Sequence, residues 1–338
     1  MLNRSKSIKV GVLGAGAIVR DVHLPVLSAL PDVQVVWVAD TQEERAHEVA
    51  RAYGVHSWLA PATPKDLPEA DVVLVAIPWG ARSPYLDELA DRQVAAYVEK
   101  PLARTVLDHE ALCAAFGAAR LADGLQRRSY GPVVAARLQV DQALFGQLRA
   151  VRYEVGGPGI VVGSRYGADF ALAGGGILFE TSVHGLDAVL RIVSAKSVHL
   201  VECNMILDGM FDIDTQARAI LTRDDGSQVE FHLVASYLRP TSNALELQFE
   251  HATVSFSLFS WSGFHVKGCL GGYWRLDTNK PLLPLTAFQT FARHWSRFLE
   301  GVRKGVPNET SAIESVTTTH LIEQLYEGRL VKREEAKT

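Results

Sequence analysis

Three clusters of residues in this 338-residue chain have types and spacings that could do chemistry. The first is Gly14-Ala15-Gly16-Ala17-Ile18-Val19, followed further on by Asp40. A glycine-rich turn between a strand and a helix lets backbone N–H groups approach a pyrophosphate, and a later carboxylate can accept hydrogen bonds from a ribose. The second is Glu99-Lys100-Pro101, where a lysine can hold its ammonium at a site while its stem lies on apolar surface. The third is Glu180, His184 and Asp187, spaced i, i+4 and i+7 so that they share one face of a helix. An imidazole titrates near neutral pH and suits proton transfer, the more so with a carboxylate beside it. Each cluster also has a plainer reading. The lysine tripeptide could be a solvated ion pair at a strand end. The helix trio could be a surface acid–base pair, or a metal site, which would need further ligands that the sequence does not locate.

The elements that must position these residues can be read in order. Residues 8–13 form a strand that runs into the glycine turn. The apolar-periodic stretch behind it reaches residue 30 and is interrupted by Pro25, so a kink is expected near His23-Leu24. Residues 33–39 form a second strand, ending in Asp40. Residues 56–59, 71–77 and 94–98 read as further strands, with helices over 83–92 and 107–121. This alternation predicts a doubly wound parallel sheet, an α/β Rossmann domain whose ligand lies at the C-terminal ends of the strands. Gly14, Gly16, Ala17, Ile18, Asp40, the Pro78-Trp79 loop, Glu99 and Lys100 all fall at those ends and are the expected cofactor-binding residues. Asp40 would repel a 2′-phosphate, which favours NAD over NADP, while Arg45, one turn into the next helix, pulls the other way.

From residue 124 the pattern changes. Residues 147–155, 198–206, 215–222, 227–236, 244–250 and 253–259 read as longer strands, several alternating as in Val229-Glu230-Phe231-His232-Leu233. A large open, mainly antiparallel sheet with one covered face is expected, and its other face is a candidate subunit contact. Between the first two strands, a glycine-rich stretch at 156–176 leads into a helix at 177–193 that carries Glu180, His184 and Asp187. Phe288, Phe291, Trp295, Phe298 and Leu299 keep the spacing of a core helix. Residues 332–337 read as a solvated tail. The expected organisation is a dinucleotide-binding domain over 1–123 and a substrate-binding and oligomerisation domain over 124–338, its last helices packing back toward the first domain.

Composition narrows the class. Apolar content is 48%, charged content 21% and net charge −4, which gives no electrostatic footprint for nucleic acid or an anionic membrane. Cys113, Cys203 and Cys269 are widely separated, as expected of a reducing compartment and of a chain with no zinc site. No apolar run approaches the roughly 18 residues that span a bilayer, and residues 1–7 lack the apolar core of a signal peptide. A soluble, cytoplasmic protein is expected.

Taken together, the glycine turn with His23-Leu24-Pro25, Asp40, Glu99-Lys100-Pro101-Leu102-Ala103, and Gly174-Gly175-Gly176 followed by Glu180, His184 and Asp187 resemble the glucose–fructose oxidoreductase / inositol dehydrogenase / rhizopine-catabolism family, Gfo/Idh/MocA. The resemblance implies a Rossmann domain, a C-terminal α/β domain with an open sheet, a nicotinamide cofactor, and sugar, sugar-derivative or cyclitol substrates. From the uncovered sheet face a homodimer or homotetramer is expected, and proton and hydride transfer of this kind require no metal. The resemblance also implies that Lys100 and His184 flank the substrate carbinol and the nicotinamide, and that the Lys100-Pro101 bond is cis. On this reading His184 is the proton-transfer group, Lys100 stabilises the alkoxide, and Glu180 holds a substrate hydroxyl or orients the site. Arg128, Arg165, Tyr166 and Asp187 are candidate substrate contacts, with Arg82, Arg127 and His265 as further residues that could face a cleft. The chain departs from the family pattern at Val19, at Glu180 in place of Asp, at Ser182 in place of Gly, and at Arg82 in place of a frequent His. The expected function is an NAD(P)-dependent dehydrogenase or reductase. The alternatives are an NAD-dependent glycosidase that oxidises its substrate transiently, and a cofactor-sensing regulator without turnover.

Overall fold

Apolar runs bounded by turns set the first sheet, and longer alternating runs set the second. A computed structural model describes residues 7–158, 174–259, 264–269, 271–275 and 286–333. In chain order, β1 (Ile8–Leu13) leads through a π-helical turn (Val19–His23) to α1 (Leu24–Ala29), β2 (Val33–Ala39), α2 (Glu43–Ala52) and β3 (Trp58–Leu59). Then come β4 (Val72–Val75), α3 (Ser83–Asp91), β5 (Ala95–Val98), α4 (Val106–Phe116), β6 (Leu121–Asp123) and α5 (Gly131–Asp141). They are followed by β7 (Leu148–Gly156), α6 (Val183–Val193), β8 (Ala195–Asp208), β9 (Phe211–Arg223), β10 (Gln228–Ser236), β11 (Leu245–Phe249) and β12 (Ala252–Phe256). The chain continues through β13 (Phe264–Gly268), β14 (Tyr273–Arg275), α7 (Ala287–Lys304), α8 (Val316–Glu327) and β15 (Leu330–Arg333).

One compact unit comprises Met1–Leu102, Leu107–Gly124 and Ala287–Glu314. Its six strands are parallel, in the order β3-β2-β1-β4-β5-β6. This is the doubly wound order in which ligands bind beyond the strand C-termini. β4 and β5 are buried along their whole length, as apolar runs covered on both faces must be. Helix α7 joins this unit: Phe291, Trp295, Phe298 and Leu299 are buried in one cluster with Val10, Val12, Leu24 and Tyr97. The helix expected to reach residue 121 stops at Phe116. Gly117 turns the chain with φ +75°, and Leu121 begins β6 instead.

The other unit comprises Ala103–Val106, Leu125–Thr286 and Ser315–Thr338. Its nine-stranded sheet runs β14-β13-β12-β11-β7-β10-β9-β8-β15, antiparallel except for the β7–β10 and β8–β15 pairs. Helices α5, α6 and α8 cover one face, where Val133, Leu186, Val189 and Leu321 pack with Val151, Tyr153, Leu233 and Leu247. On the opposite face the register sets Glu202, Arg218, His232, Arg152, Glu246, Ser255 and His265 side by side across seven strands. Such a row of cross-strand polar partners can face water. His265, a candidate cleft residue by sequence, stands in this row. Lys332 and Arg333, expected to open the solvated tail, instead belong to β15, which pairs in parallel with β8. No helix among the described residues is long and apolar enough to cross a membrane.

Candidate active site

The glycine turn at the end of β1 is dictated by a close approach. Gly14 has φ +102°, and a Cβ there would lie 2.5 Å from the Ala76 carbonyl oxygen. Its N–H bonds the Ala39 carbonyl at 2.7 Å, drawing the ends of β1 and β2 together. Gly16 differs: nothing lies within 4 Å of the position its Cβ would take, and Ala17 beside it is exposed. That open cradle fits a pyrophosphate brought close to backbone N–H groups. Asp40 closes the turn from β2. Its Oδ2 accepts the Ala15 N–H at 2.8 Å and its Oδ1 the Gln42 N–H at 2.9 Å. Each carboxylate oxygen keeps a further lone pair for a ribose hydroxyl. The Arg45 guanidinium stands 3.8 Å from the same carboxylate. Ile18 is half-buried at the N-cap of the π-helical turn, and Val19 within that turn is fully buried. Pro25 sits in the first turn of α1, where its missing N–H costs nothing, so the break falls at His23/Leu24 as expected.

Glu99, Lys100 and Pro101 follow directly on β5, and the Lys100-Pro101 peptide is cis, as the resemblance implied. Glu99 is buried, and its Oε1 lies 2.9 Å from His23 Nε2. Trp295 Nε1 donates to His23 Nδ1 at 3.0 Å. An indole N–H can only donate, so Nδ1 carries the lone pair and Nε2 carries the proton that His23 gives to Glu99. Burial pushes the Glu99 carboxyl upward, but the His23 hydrogen bond and the Lys100 and Arg82 charges outweigh it and hold it below the usual range. Glu99 is thus a fixed anion beside Lys100. Arg82, a candidate cleft residue by sequence, is buried and bonds backbone instead: Nε to the Ile77 carbonyl at 2.8 Å, Nη1 to the Glu99 and Pro101 carbonyls at 2.5 Å each. Pro78 and Trp79 are half-buried in the loop after β4, Trp79 opening a short 3-10 turn.

In the second unit the helix expected over 177–193 is not uniform. Leu178–Ser182 is a π-helical turn and α6 begins at Val183, so Glu180 lies on a wider turn than His184 and Asp187. Glu180 Oε2 accepts the Tyr237 hydroxyl proton at 2.7 Å. Burial, with the Glu180 charge added, raises the Tyr237 hydroxyl far above its ordinary value. His184 is buried in the first turn of α6. Asp187 takes a different role from the substrate contact expected of it. It forms a buried bidentate pair with Arg128, at 2.8 and 2.6 Å, and accepts from Thr318 at 3.1 Å. Arg128, also expected at substrate, is committed to this pair, which ties the Gln126–Ser129 turn to α6. Arg127 beside it is buried with its guanidinium 5.6 Å from the Phe259 ring centroid, and burial lowers its pKa to about 10. Arg165 and Tyr166 lie outside the described residues.

Asp212 was not foreseen, because nothing local marks it. Fully buried near the start of β9, it accepts the Gly176 and Leu178 N–H groups at 2.8 Å each, and the Tyr326 hydroxyl. It therefore caps the helical run that carries Glu180 and His184. Burial pushes its carboxyl up to about 6, against the pull of those three hydrogen bonds. A raised carboxyl holds its proton in the folded state to a higher pH than in the unfolded chain. Its contribution to stability is therefore full below the unfolded pKa and is lost as pH rises through the folded one. Compared with Asp212→Asn, the parent should lose roughly 3 kcal/mol of unfolding free energy between about pH 4 and pH 7. Urea denaturation of both proteins across that range checks this; parallel pH profiles would contradict it.

The first unit thus offers a glycine turn with open space at Gly16, the Asp40 carboxylate and Lys100 at the end of β5, and the second a buried histidine on a capped helix with a carboxylate–tyrosine pair one turn earlier. Residues 8–121 match the model of an oxidoreductase family with an NAD-binding Rossmann fold. The chain is 25% identical over 206 residues to inositol 2-dehydrogenase of Rhizobium meliloti (strain 1021), 60% of this chain and 59% of that protein, so the match spans less than two thirds of the relative. It is 25% identical over 255 residues to dTDP-3,4-didehydro-2,6-dideoxy-alpha-D-glucose 3-reductase of Saccharopolyspora spinosa, 72% of each chain. Among solved structures it is similar to a 3-ketoreductase from Actinomadura kijaniata in complex with NADP and TDP-benzene. The TM-score there is 0.80 at 17% identity, covering 98% of this chain and 100% of that one, a likeness of fold. The glycine turn, Asp40 and Glu99-Lys100-Pro101 all lie within the segment matched by the family model, so residues 8–121 are similar to the NAD-binding domain of the Gfo/Idh/MocA oxidoreductases.

Proposed function

We propose that the protein is an NAD(P)-dependent oxidoreductase that exchanges hydride between the nicotinamide and a secondary alcohol or ketone of a sugar, sugar derivative or cyclitol, with NAD the favoured cofactor. The observation that carries this reading is the glycine turn closed onto Asp40, on the same sheet edge as Lys100. An anionic Asp40 disfavours a 2′-phosphate, and Arg45 at 3.8 Å offsets that only in part from the surface. A bound nicotinamide supplies the two-electron exchange. The protein's own groups supply the rest. The His184 imidazole takes the substrate hydroxyl proton during oxidation and returns it during reduction. The Lys100 ammonium favours the alkoxide over the alcohol, since a fixed cation beside developing negative charge lowers the barrier. Glu180, held by Tyr237, accepts a hydrogen bond from a neighbouring substrate hydroxyl.

The test is a panel of sugars, uronates, inositols and nucleotide sugars with NAD and with NADP, read at the NADH absorbance, alongside cofactor titrations. Turnover on one class, with tighter binding of NAD than NADP, is expected; no cofactor binding at all would refute the reading. Gly16→Val separates cradle from scaffold. Gly16 has open space and an ordinary φ, so this variant should melt like the parent but bind cofactor at least about tenfold more weakly, the loss of about 1.4 kcal/mol of contact. Unchanged cofactor affinity would mean that the cradle holds no phosphate.

A further inference from the structure

We infer that Arg82 is a positioning residue for Lys100, its guanidinium holding the carbonyls of both residues that flank the lysine. The contacts described for it are specific. Nη1 bonds the Glu99 oxygen before Lys100 and the Pro101 oxygen after it, while Nε bonds the Ile77 oxygen at the end of the neighbouring strand. One side chain thereby joins the ends of β4 and β5 and sets the backbone on either side of Lys100. Only a planar guanidinium has donors in a fixed fork that can reach three carbonyls together; a lysine ammonium is a compact point charge on a flexible stem. The side chain is 5% exposed, so water cannot substitute for it. The Glu99 carboxylate, charged and held by His23, offsets the buried cation.

The inference rests on the reading in which Lys100 carries charge at the reacting centre, and its test separates the two. Arg82→Ala and Arg82→Lys are compared with the parent in the full-length protein. Lys100 reactivity is followed by acylation with a small amine reagent across the alkaline range and peptide mass spectrometry. Turnover is followed on a substrate from the panel, with and without added methylguanidinium. Both variants should shift the pH profile of Lys100 acylation and lower kcat by about 10²-fold, since small misplacements of a reacting group cost that much. KM for the cofactor should change little by comparison. Methylguanidinium should restore much of the turnover of Arg82→Ala and none of that of Arg82→Lys. Should Arg82→Ala fail to fold, Arg82→Lys carries the acylation and kcat readouts alone. A folded variant whose Lys100 acylation profile and kcat match the parent overturns the inference. If acylation shifts as expected while Lys100→Ala keeps full turnover, the positioning role stands and the catalytic reading of Lys100 falls.

Discussion

Lys100→Ala is expected to lower turnover by about 10²- to 10³-fold while leaving cofactor affinity within a few-fold of the parent. The magnitude is that of removing one preorganised group from a developing oxyanion. The selectivity follows from what remains. Gly14, Gly16 and Asp40 belong to β1 and β2, and their hydrogen bonds do not pass through Lys100. Glu99 keeps its bond to His23, which is itself held by Trp295, so the strand end should not collapse when the ammonium is lost. His184→Ala provides the companion measurement. It should also depress kcat, and the limb of the pH–rate profile that reports imidazole ionisation should disappear. Turnover, cofactor affinity by fluorescence titration and the pH profile are the quantities to measure. A Lys100→Ala enzyme with unaltered kcat on its true substrate would remove lysine from the mechanism.

Arg128→Met should cost about 3–5 kcal/mol of stability, because it leaves Asp187 charged, buried and without its guanidinium. Only the Thr318 hydroxyl at 3.1 Å would remain among the hydrogen bonds described for that carboxylate. Both members of the pair are almost wholly buried, so solvent screening does little to soften the loss. The double variant Arg128→Met/Asp187→Leu should recover much of it, since the cost lies in the orphaned charge more than in the missing attraction. Urea denaturation near neutral pH decides the matter. The experiment also separates a structural arginine from a substrate-binding one. The latter would raise KM with little change in stability, and a stability loss below about 1 kcal/mol with a large KM effect would favour it.

Much of the fold was legible because its signals are local. β4 and β5 are uninterrupted apolar runs, and such runs signal strands buried on both faces. The strands from β7 to β12 were visible because alternation by two marks a half-buried strand. The glycine turn and Asp40 were legible for the same reason: the turn needs particular residue types at fixed short spacing, between a strand and a helix. Where local signals compete, the reading slipped. Gly117 ended α4 early, and the short β6 behind it has too few residues to announce itself. Lys332 and Arg333 read as the start of a polar tail, yet with Leu330 and Val331 they pair along the outer edge of β8.

By itself, then, the sequence determined most of the strand–helix alternation of the first sheet, the long strands β7 to β12, the glycine turn, and the residue types available for proton transfer and charge stabilisation. Periodicity and turn chemistry act over a few residues, and these features ask for nothing more. The tertiary structure alone decided what the charged side chains do. Trp295 reaches His23 across 272 positions and fixes its tautomer, and Asp212 caps a helix start 34 to 36 residues away. Arg128 and Asp187, candidate substrate contacts by residue type, bind each other across 59 positions. Arg82, another such candidate, braces the backbone around Lys100. A long polar side chain can satisfy its donors with substrate, a partner charge or a backbone carbonyl. Which one it meets depends on how distant segments pack, and burial makes the choice binding, because a buried donor without an acceptor is costly.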